Sequence, residues 1–176
     1  MMKKSNFTIQ ELTTTAVSIA LVCVGTIVIQ IPIPLGYMHL GNICILLVAY
    51  LFSPTTALLA GGVGSAMADL ITGYPQWILP TLIIKSLMGL AAAKMMHSKN
   101  EQASILSIRG LLGSLAGIFI MIMGYFIAGS VIYGNIYTGA AQIPGLSIEG
   151  ICGIVGYYII GIAMEKMKIS KLIRRA

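Results

Sequence analysis

Charged side chains are scarce in this chain, and their scarcity excludes most soluble folds. They make up 9% of the 176 residues, whereas apolar residues make up 57%, and the mean hydropathy is +0.94. A soluble domain contains roughly 25% charged residues. The composition therefore predicts an all-α integral membrane protein in which residues 1–176 form a single transmembrane domain.

Signatures of catalysis and metal binding are also missing. Cys23, Cys44 and Cys152 lie far apart in apolar runs and form no C-x-x-C pair, which argues against a metal site or a disulfide. No H-E-x-x-H or Walker motif occurs, and GLSIEG at 145–150 has Glu149 in place of the last glycine of G-x-S-x-G. We expect no cofactor, no metal and no enzymatic activity, and the chain is not expected to hydrolyse ATP itself.

Apolar runs of membrane-crossing length divide the chain into a predicted bundle of six transmembrane helices. One span needs about 20 apolar residues. The predicted helices cover 9–30, 40–52, 54–72, 77–96, 104–133 and 145–165. The second is short for a span. No small-residue cleavage site follows the first run, so we interpret the N-terminus as the start of a mature first helix and not as a signal peptide.

Positive charges are expected on one side of this bundle. The connections at 31–39, 73–76 and 134–144 contain no Lys or Arg. The basic residues near the other helix ends are Lys3, Lys4, Lys94, Lys99, Arg109, Lys166, Lys168, Lys171, Arg174 and Arg175. With six spans they all fall on one side, which the positive-inside rule assigns to the cytoplasm together with both termini. The net charge of +6 is therefore interpreted as an orientation signal, with no nucleic-acid partner.

Small residues recur four positions apart, a spacing that lets membrane helices pack closely. Examples are Ala16 and Ala20 on the first predicted helix, and Gly61/Ser65 and Gly64/Ala68 on the third. Internal packing of the bundle explains most of these pairs.

Three ionisable residues lie inside predicted spans: Asp69, Lys85 and Glu149. Such residues are costly in lipid and usually face the bundle interior or a wet cavity. Lys85 follows Trp77 by eight residues, which places it about 12 Å from the outer end of its helix. Asp69 and Glu149 lie near the outer ends of their own helices. The pattern predicts a polar site that opens to the outside.

Other polar and aromatic residues are predicted at the same outer end: His39, Asn42, Tyr74, Gln76 and Trp77. Together with the three ionisable residues they are the candidate substrate-binding set. Three alternatives stay open: Lys85 pairs with Asp69 as a structural bridge, Asp69 and Glu149 are ordinary interface residues near helix ends, and Tyr74 and Trp77 form an ordinary aromatic belt. His39 is interpreted as a polar loop residue and not as a metal ligand, because no second His or Cys stands at ligand spacing.

Four short motifs occur between residues 36 and 94: HLGN at 39–42, GGVGSAMAD at 61–69, GYP at 73–75 and IIKSLMG at 83–89. In these motifs the chain resembles the S components of energy-coupling factor (ECF) vitamin transporters. The nearest resemblance is to the subgroup for hydroxymethylpyrimidine, pyridoxine and related vitamins. The motifs cover about a third of the chain, while its size and predicted topology fit the family over the whole length.

The resemblance implies a multi-pass protein of the prokaryotic plasma membrane that binds a water-soluble vitamin from outside with high affinity. It also implies association with a transmembrane scaffold subunit and two cytoplasmic ATPase subunits. Ala16 and Ala20 match the A-x-x-x-A motif with which the family docks on its scaffold. Hydroxymethylpyrimidine or pyridoxine is the favoured substrate, and a riboflavin-type S component is the alternative.

Two other functions remain open from the residues alone. A stand-alone facilitator or channel would carry polar residues through the full depth of the bundle, whereas the predicted set stops near mid-depth. A small membrane enzyme would need a nucleophile and a base, or a metal cluster.

Overall fold

Seven helices and one β-hairpin make up the part of the chain that the computed structural model describes, residues 8–33, 36–97 and 104–168. The helices are α1 (Ile9–Ile27), α2 (Gly41–Leu51), α3 (Pro54–Thr72), α4 (Ile78–Met96), α5 (Ile108–Ile132), α6 (Ile136–Ala140) and α7 (Ile143–Lys166). The hairpin consists of β1 (Gln30–Ile33) and β2 (Gly36–His39), and a short 3-10 turn, Pro75–Trp77, precedes α4. The basic residues Lys3, Lys4, Lys99, Lys171, Arg174 and Arg175 lie outside the described residues.

Five segments are long and apolar enough to cross a membrane. They are Ile9–Ile27, Pro54–Thr72, Pro75–Met96, Ile108–Ile132 and Ile136–Lys166. The helix at the position of the second predicted span, α2, has 11 residues. At 1.5 Å per residue it extends about 16 Å, roughly half of the hydrocarbon core. The chain is a mostly helical membrane protein, and a complement of six spans stays a prediction.

A β-hairpin forms within the segment that the sequence predicts as the connection after the first helix. The first helix ends at Ile27 instead of continuing to residue 30, and β1 pairs antiparallel with β2 so that Gln30 opposes His39 and Pro32 opposes Tyr37. Proline lacks a backbone N–H, but each strand of a two-stranded ribbon has one unpaired edge that tolerates this loss. The β-branched isoleucines beside Pro32 also favour an extended strand.

Several helix boundaries agree with the sequence, and others differ. The prediction of 54–72 is confirmed by α3, where the Ser53 hydroxyl accepts the Thr56 N–H and Gly73 ends the helix at φ +83°. The fifth predicted helix starts later, at Ile108, after the Ser107 cap. The last predicted helix corresponds to α7, and the short helix α6 before it was not predicted.

Burial differs from that of a soluble protein, because the outer surface is largely apolar as well as the core. Lys85 and Asn42 are fully buried, whereas Phe119 of α5 is 65% exposed and Val131 is 76% exposed. An exposed apolar surface of this kind is stable against lipid and unstable against water. The outer faces of the long helices therefore face the membrane, and the polar side chains lie between the helices.

The bundle has two distinct ends. The hairpin end contains the hairpin, the 3-10 turn and α6; here the rings of Trp77 and Tyr133 lie 6.4 Å apart. The opposite end contains the α2–α3 connection and the end of α7, where the Tyr50 hydroxyl donates to Glu165 at 2.6 Å. Among the described residues, the basic side chains near helix ends belong to the opposite end: Lys94, Arg109, Lys166 and Lys168. This arrangement agrees with the predicted one-sided distribution of positive charge.

Helices α3 and α4 pack backbone to backbone. A Cβ at Gly61 would lie 2.6 Å from the carbonyl oxygen of Lys85, and a Cβ at Gly89 would overlap the carbonyl oxygen of Ala57. On the other side of α3, a Cβ at Gly64 would lie 2.7 Å from the Ile19 carbonyl oxygen of α1. The close packing predicted from small residues on the third helix is therefore confirmed.

Candidate substrate-binding site

Lys85 is the centre of a buried network that joins four helices. Its Nζ donates to Asn42 Oδ1 of α2 at 2.6 Å and to Met121 Sδ of α5 at 3.2 Å. It also forms an ion pair with Glu149 Oε1 of α7 at 3.6 Å. An ammonium has three donors; Asn42 and Met121 accept from two of them, and Glu149 supplies the opposite charge at ion-pair distance. Lys85 on α4 therefore holds α2, α5 and α7 around one point.

Glu149 completes this network and balances its charge. Its Oε1 accepts from Asn42 Nδ2 at 2.8 Å and lies 3.5 Å from His39 Nε2. The Gly41 N–H donates to His39 Nδ1 at 3.0 Å, so the imidazole proton lies on Nε2 and faces Glu149. Burial, and then the Lys85 ammonium, lower the pKa of His39 well below its ordinary value. With a neutral imidazole, the charges of Lys85 and Glu149 cancel.

Asp69 belongs to a second polar group at the end of α3. The Tyr37 hydroxyl of β2 donates to Asp69 Oδ1 at 2.8 Å and lies 3.4 Å from the Thr72 hydroxyl. The other oxygen, Oδ2, is buried and has no hydrogen-bond partner among the described residues. Tyr37 thus fastens the hairpin to α3 and leaves half of the carboxylate free of protein donors.

Aromatic rings lie on two sides, or flanks, of the site, between the Lys85 network and the Asp69 group. On one flank, Trp77 packs edge-on against Tyr125 at 5.5 Å, and Lys85 Nζ lies 5.6 Å from the centre of the Tyr125 ring. The Tyr125 and Thr81 hydroxyls are 2.9 Å apart. These contacts place flat apolar surfaces beside hydrogen-bonding groups, the combination typical of a small-molecule site.

On the other flank, the Tyr37 ring lies 4.9 Å from Tyr74 and 5.5 Å from His39. Since His39 contacts Glu149, this flank links the Asp69 group to the Lys85 network.

The structure brings together most of the residues proposed from the sequence. His39, Asn42, Lys85 and Glu149 form the Lys85 network, while Asp69 and Tyr74 join through Tyr37 and Trp77 joins through Tyr125. Gln76 is exposed at the surface of the 3-10 turn. The alternative bridge between Lys85 and Asp69 is replaced by a different pairing, because the ion pair of Lys85 is with Glu149 and the described contact of Asp69 is with Tyr37.

Four residues of the site were not predicted from the sequence: Tyr37, Thr81, Met121 and Tyr125. Tyr37 and Tyr125 carried a weak signal, since a tyrosine in an apolar segment needs a partner for its hydroxyl when it is buried. Met121 carried no signal in the sequence. A methionine whose sulfur accepts a hydrogen bond cannot be distinguished, within an apolar helix, from one that faces lipid. Among the described residues, no three His, Cys, Asp or Glu side chains are grouped to hold a metal ion.

The predicted docking residues lie on the surface of α1. Ala16 and Ala20 are both exposed, whereas the buried side of this helix includes Thr15, Ser18 and Val22. Their small side chains are therefore not used for packing inside the described bundle.

Comparison with known proteins assigns the family. The model of the family described as "ECF-type riboflavin transporter, S component" matches residues 6–166. The chain belongs to this family. An S component is the membrane-embedded substrate-binding subunit of an ECF transporter and not an enzyme, and membership implies association with an ECF module and a vitamin substrate. The hydroxymethylpyrimidine and pyridoxine subgroup stays a prediction.

A protein of Pyrococcus woesei described as "Uncharacterized protein in gap 3'region" is also similar to this S component. The two are 38% identical over 153 residues, covering 82% of this chain and 99% of the other protein. The similarity thus extends over nearly the whole length of that relative.

Proposed function

We propose that this S component binds riboflavin at the hairpin end of the bundle and passes it to an ECF module for import. The observation that carries the proposal is the position of the Trp77 and Tyr125 rings beside the charge-balanced Lys85 network. A flat heterocycle gains by contact with the rings, and its polar edge gains by hydrogen bonding to the network.

The charges of the network support a neutral ligand. The Lys85 ammonium and the Glu149 carboxylate are 3.6 Å apart and cancel each other. A charged ligand beside this pair would be desolvated without a counterion, which is costly in a buried site. Riboflavin is neutral, and so are pyridoxine and hydroxymethylpyrimidine.

The size of the aromatic lining favours riboflavin over the two smaller vitamins. Aromatic side chains stand on both flanks of the site, Trp77 with Tyr125 on one and Tyr37 with Tyr74 on the other. A three-ring isoalloxazine offers enough surface to contact both flanks, whereas a single ring offers much less. The hydrogen-bonding groups of Asn42 and His39 also suit hydroxymethylpyrimidine or pyridoxine, which remain the second candidates.

Two measurements on the purified protein test the substrate. Mass spectrometry of co-purifying small molecules should detect riboflavin. Titration should quench riboflavin fluorescence, because stacking on an aromatic ring such as the single tryptophan, Trp77, opens a non-radiative path. Pyridoxine and hydroxymethylpyrimidine in large excess should not restore the fluorescence. Displacement by either of them, without riboflavin in the co-purified fraction, would assign the protein to the smaller vitamins.

The ECF module in this proposal consists of a transmembrane scaffold and two cytoplasmic ATPases, and it docks on the exposed side of α1. In Ala16→Trp and Ala20→Trp, the added bulk should prevent close helix approach. We expect loss of uptake and of co-purification with the scaffold, with riboflavin binding by the isolated subunit retained. Phe119→Trp adds bulk at a lipid-facing position of α5 and serves as the control. Normal assembly of both alanine variants would contradict the docking assignment.

The proposed orientation places the hairpin end outside the cell and both termini in the cytoplasm, with six spans. In a background without native cysteines, new cysteines at residues 35, 74 and 140 should react with an impermeant reagent added to intact cells. Cysteines at residues 99 and 172 should be protected; these two positions and residue 35 lie outside the described residues. Labelling of position 99 from outside would overturn this topology.

A further inference from the structure

Two buried polar atoms on one side of α3 have no hydrogen-bond partner among the residues that the structure describes: Ser65 Oγ and Asp69 Oδ2. Ser65 is 1% exposed and Asp69 is 6% exposed. Their four-residue spacing puts them on the same helix face, with Cβ atoms about 5–6 Å apart. Buried polar groups in proteins are almost always hydrogen-bonded, so two open ones on one helical turn indicate an absent partner.

The Ser65 hydroxyl is unusual within this protein. Serines in helices commonly donate to the carbonyl one turn earlier, and Ser130 and Ser147 do so at 2.7 Å to Phe126 and Ile143. In Ser65 the same local bond is not made. Its hydroxyl is therefore available to a group outside α3.

Lys85 does not supply the partner that Asp69 lacks. Its Nζ is engaged by Asn42, Met121 and Glu149, and the hydroxyls that interact with Asp69, those of Tyr37 and Thr81, are neutral. An ionised carboxylate has two oxygens with about four acceptor positions. Asp69 can therefore accept further hydrogen bonds. Because its side chain is buried, little water is available to donate them.

We propose that Ser65 and Asp69 together bind the hydroxyl chain of the substrate, so that this turn of α3 is a polyol subsite. The proposal rests on the proposed flavin function and adds the orientation of the ligand. A polyol presents a hydroxyl on each carbon, so one chain reaches both atoms of the turn. One hydroxyl of the chain donates to the carboxylate, and another donates to, or accepts from, the serine hydroxyl.

The aromatic residues fix the other end of the ligand. The Tyr125 hydroxyl contacts Thr81 at 2.9 Å, and the Tyr125 ring packs against Trp77 on the side of α4 and α5. A flavin with its ring on this side directs its side chain towards α3. Selectivity among flat heterocycles then depends on the side chain of the ligand. A ligand without hydroxyls leaves Ser65 and Asp69 without hydrogen-bond partners.

Two ligands with the same ring separate this subsite from the rest of the site. Riboflavin carries the polyol chain, and lumiflavin has a methyl group in its place. We would measure the affinity of both for the wild type, Ser65→Ala, Asp69→Asn and the control Ser114→Ala. Ser114 is also a buried helical serine, but its hydroxyl donates to the Leu111 carbonyl at 2.9 Å.

We expect Asp69→Asn to weaken riboflavin binding about tenfold, since a charge-assisted hydrogen bond is replaced by a neutral one. Ser65→Ala should weaken it by about three- to tenfold. Lumiflavin affinity should stay unchanged in both variants, and Ser114→Ala should leave both affinities unchanged.

Equal losses for riboflavin and lumiflavin would overturn the subsite, because the two residues would then act through the fold. Lumiflavin binding to the wild type as tightly as riboflavin would also overturn it. If the wild type binds neither flavin, the proposed flavin function itself fails and the polyol assignment fails with it.

Discussion

Two carboxylates, Glu165 at the opposite end and Asp69 at the hairpin end, have very different surroundings. Glu165 accepts from the Tyr50 hydroxyl at 2.6 Å, the Ile105 N–H at 2.9 Å and the Ser104 hydroxyl at 3.2 Å. The donors come from α2 and from the segment that leads into α5. Glu165 therefore connects three parts of the bundle, and its hydrogen-bonding capacity is well used.

Asp69 is more deeply buried and has fewer protein donors. Tyr37 donates to one oxygen, and the other has no partner among the described residues. Satisfied polar groups stabilise a fold, whereas an open buried group costs free energy until a ligand arrives. The comparison supports the proposal that the hairpin end binds substrate, since its carboxylate keeps unused hydrogen-bonding capacity whereas that of the opposite end is used within the fold.

The largest effect is expected where a buried charge loses its partner. Lys85→Met leaves the Glu149 carboxylate without its ammonium, and we expect a loss of about 3–5 kcal/mol of stability. Lys85→Met/Glu149→Gln should recover most of it. Lys94→Met, on an exposed position of α4, is the control. Thermal melts in detergent measure these changes, and a wild-type melting temperature for Lys85→Met would rule out the pair as a structural element.

The same double variant tests the prediction that Lys85 also contacts the vitamin. If it does, riboflavin affinity should remain about ten- to a hundredfold lower after stability is restored. Wild-type affinity in the double variant would limit Lys85 to holding the helices together.

The second prediction concerns the opposite end. Glu165→Leu removes the acceptor of Tyr50 and Ile105, and we expect a loss of about 2 kcal/mol of stability. Riboflavin affinity, measured by titration at a temperature where the variant is folded, should not change. Glu165→Gln keeps one acceptor oxygen and should cost less. A drop in affinity without a drop in stability would remove the distinction between the two ends.

Third, Tyr37→Phe should detach the hairpin from Asp69. Loss of this hydrogen bond should lower stability by about 1–1.5 kcal/mol, with faster amide hydrogen exchange confined to residues 30–39. Tyr74→Phe leaves the Asp69 contact in place and is the matched control. Equal exchange rates in wild type and Tyr37→Phe would show that the hairpin is held by other contacts.

The smallest expected effect is a pH dependence from His39, which faces Glu149 and Lys85. Its pKa is lowered in the folded protein, so the unfolded chain takes up a proton first as the pH falls below about 6.5. The contribution of His39 is constant above that pH, and stability falls by about 1 kcal/mol over the next pH unit. His39→Gln should reduce the slope of melting temperature against pH in this range. An unchanged slope would contradict a buried neutral imidazole.

Much of the candidate site was visible in the sequence because charge inside an apolar run is conspicuous. Lys85, Glu149 and Asp69 were identified in this way, and the absence of Lys and Arg from three connections placed them at a common end. The pairing could not be predicted. Asp69 and Glu149 lie at similar predicted depths, and only the arrangement of α2, α4 and α7 in space selects Glu149 as the partner of Lys85.

The hairpin and the shortness of α2 were harder to predict. Two prolines near residue 33 indicated the end of a helix. The residues that pair as strands, 30–33 with 36–39, were, apart from Gln30, interpreted as part of a connecting loop. Met121 and Tyr125 lie in a long apolar run, where residues facing lipid and residues facing the site have the same composition. Their roles follow from the rotation of α5, which hydrophobic periodicity alone does not determine in a membrane helix.

The glycine contacts between α3 and α4 have a consequence for selectivity. The two main chains touch at Gly61 and Gly89, so neither helix slides along the other without driving a glycine Cα into a carbonyl oxygen. The backbone positions of Asp69 on α3 and Lys85 on α4 are therefore held at a fixed spacing. A proposed ligand that contacts both helices would then meet a scaffold whose backbone spacing does not adjust to it.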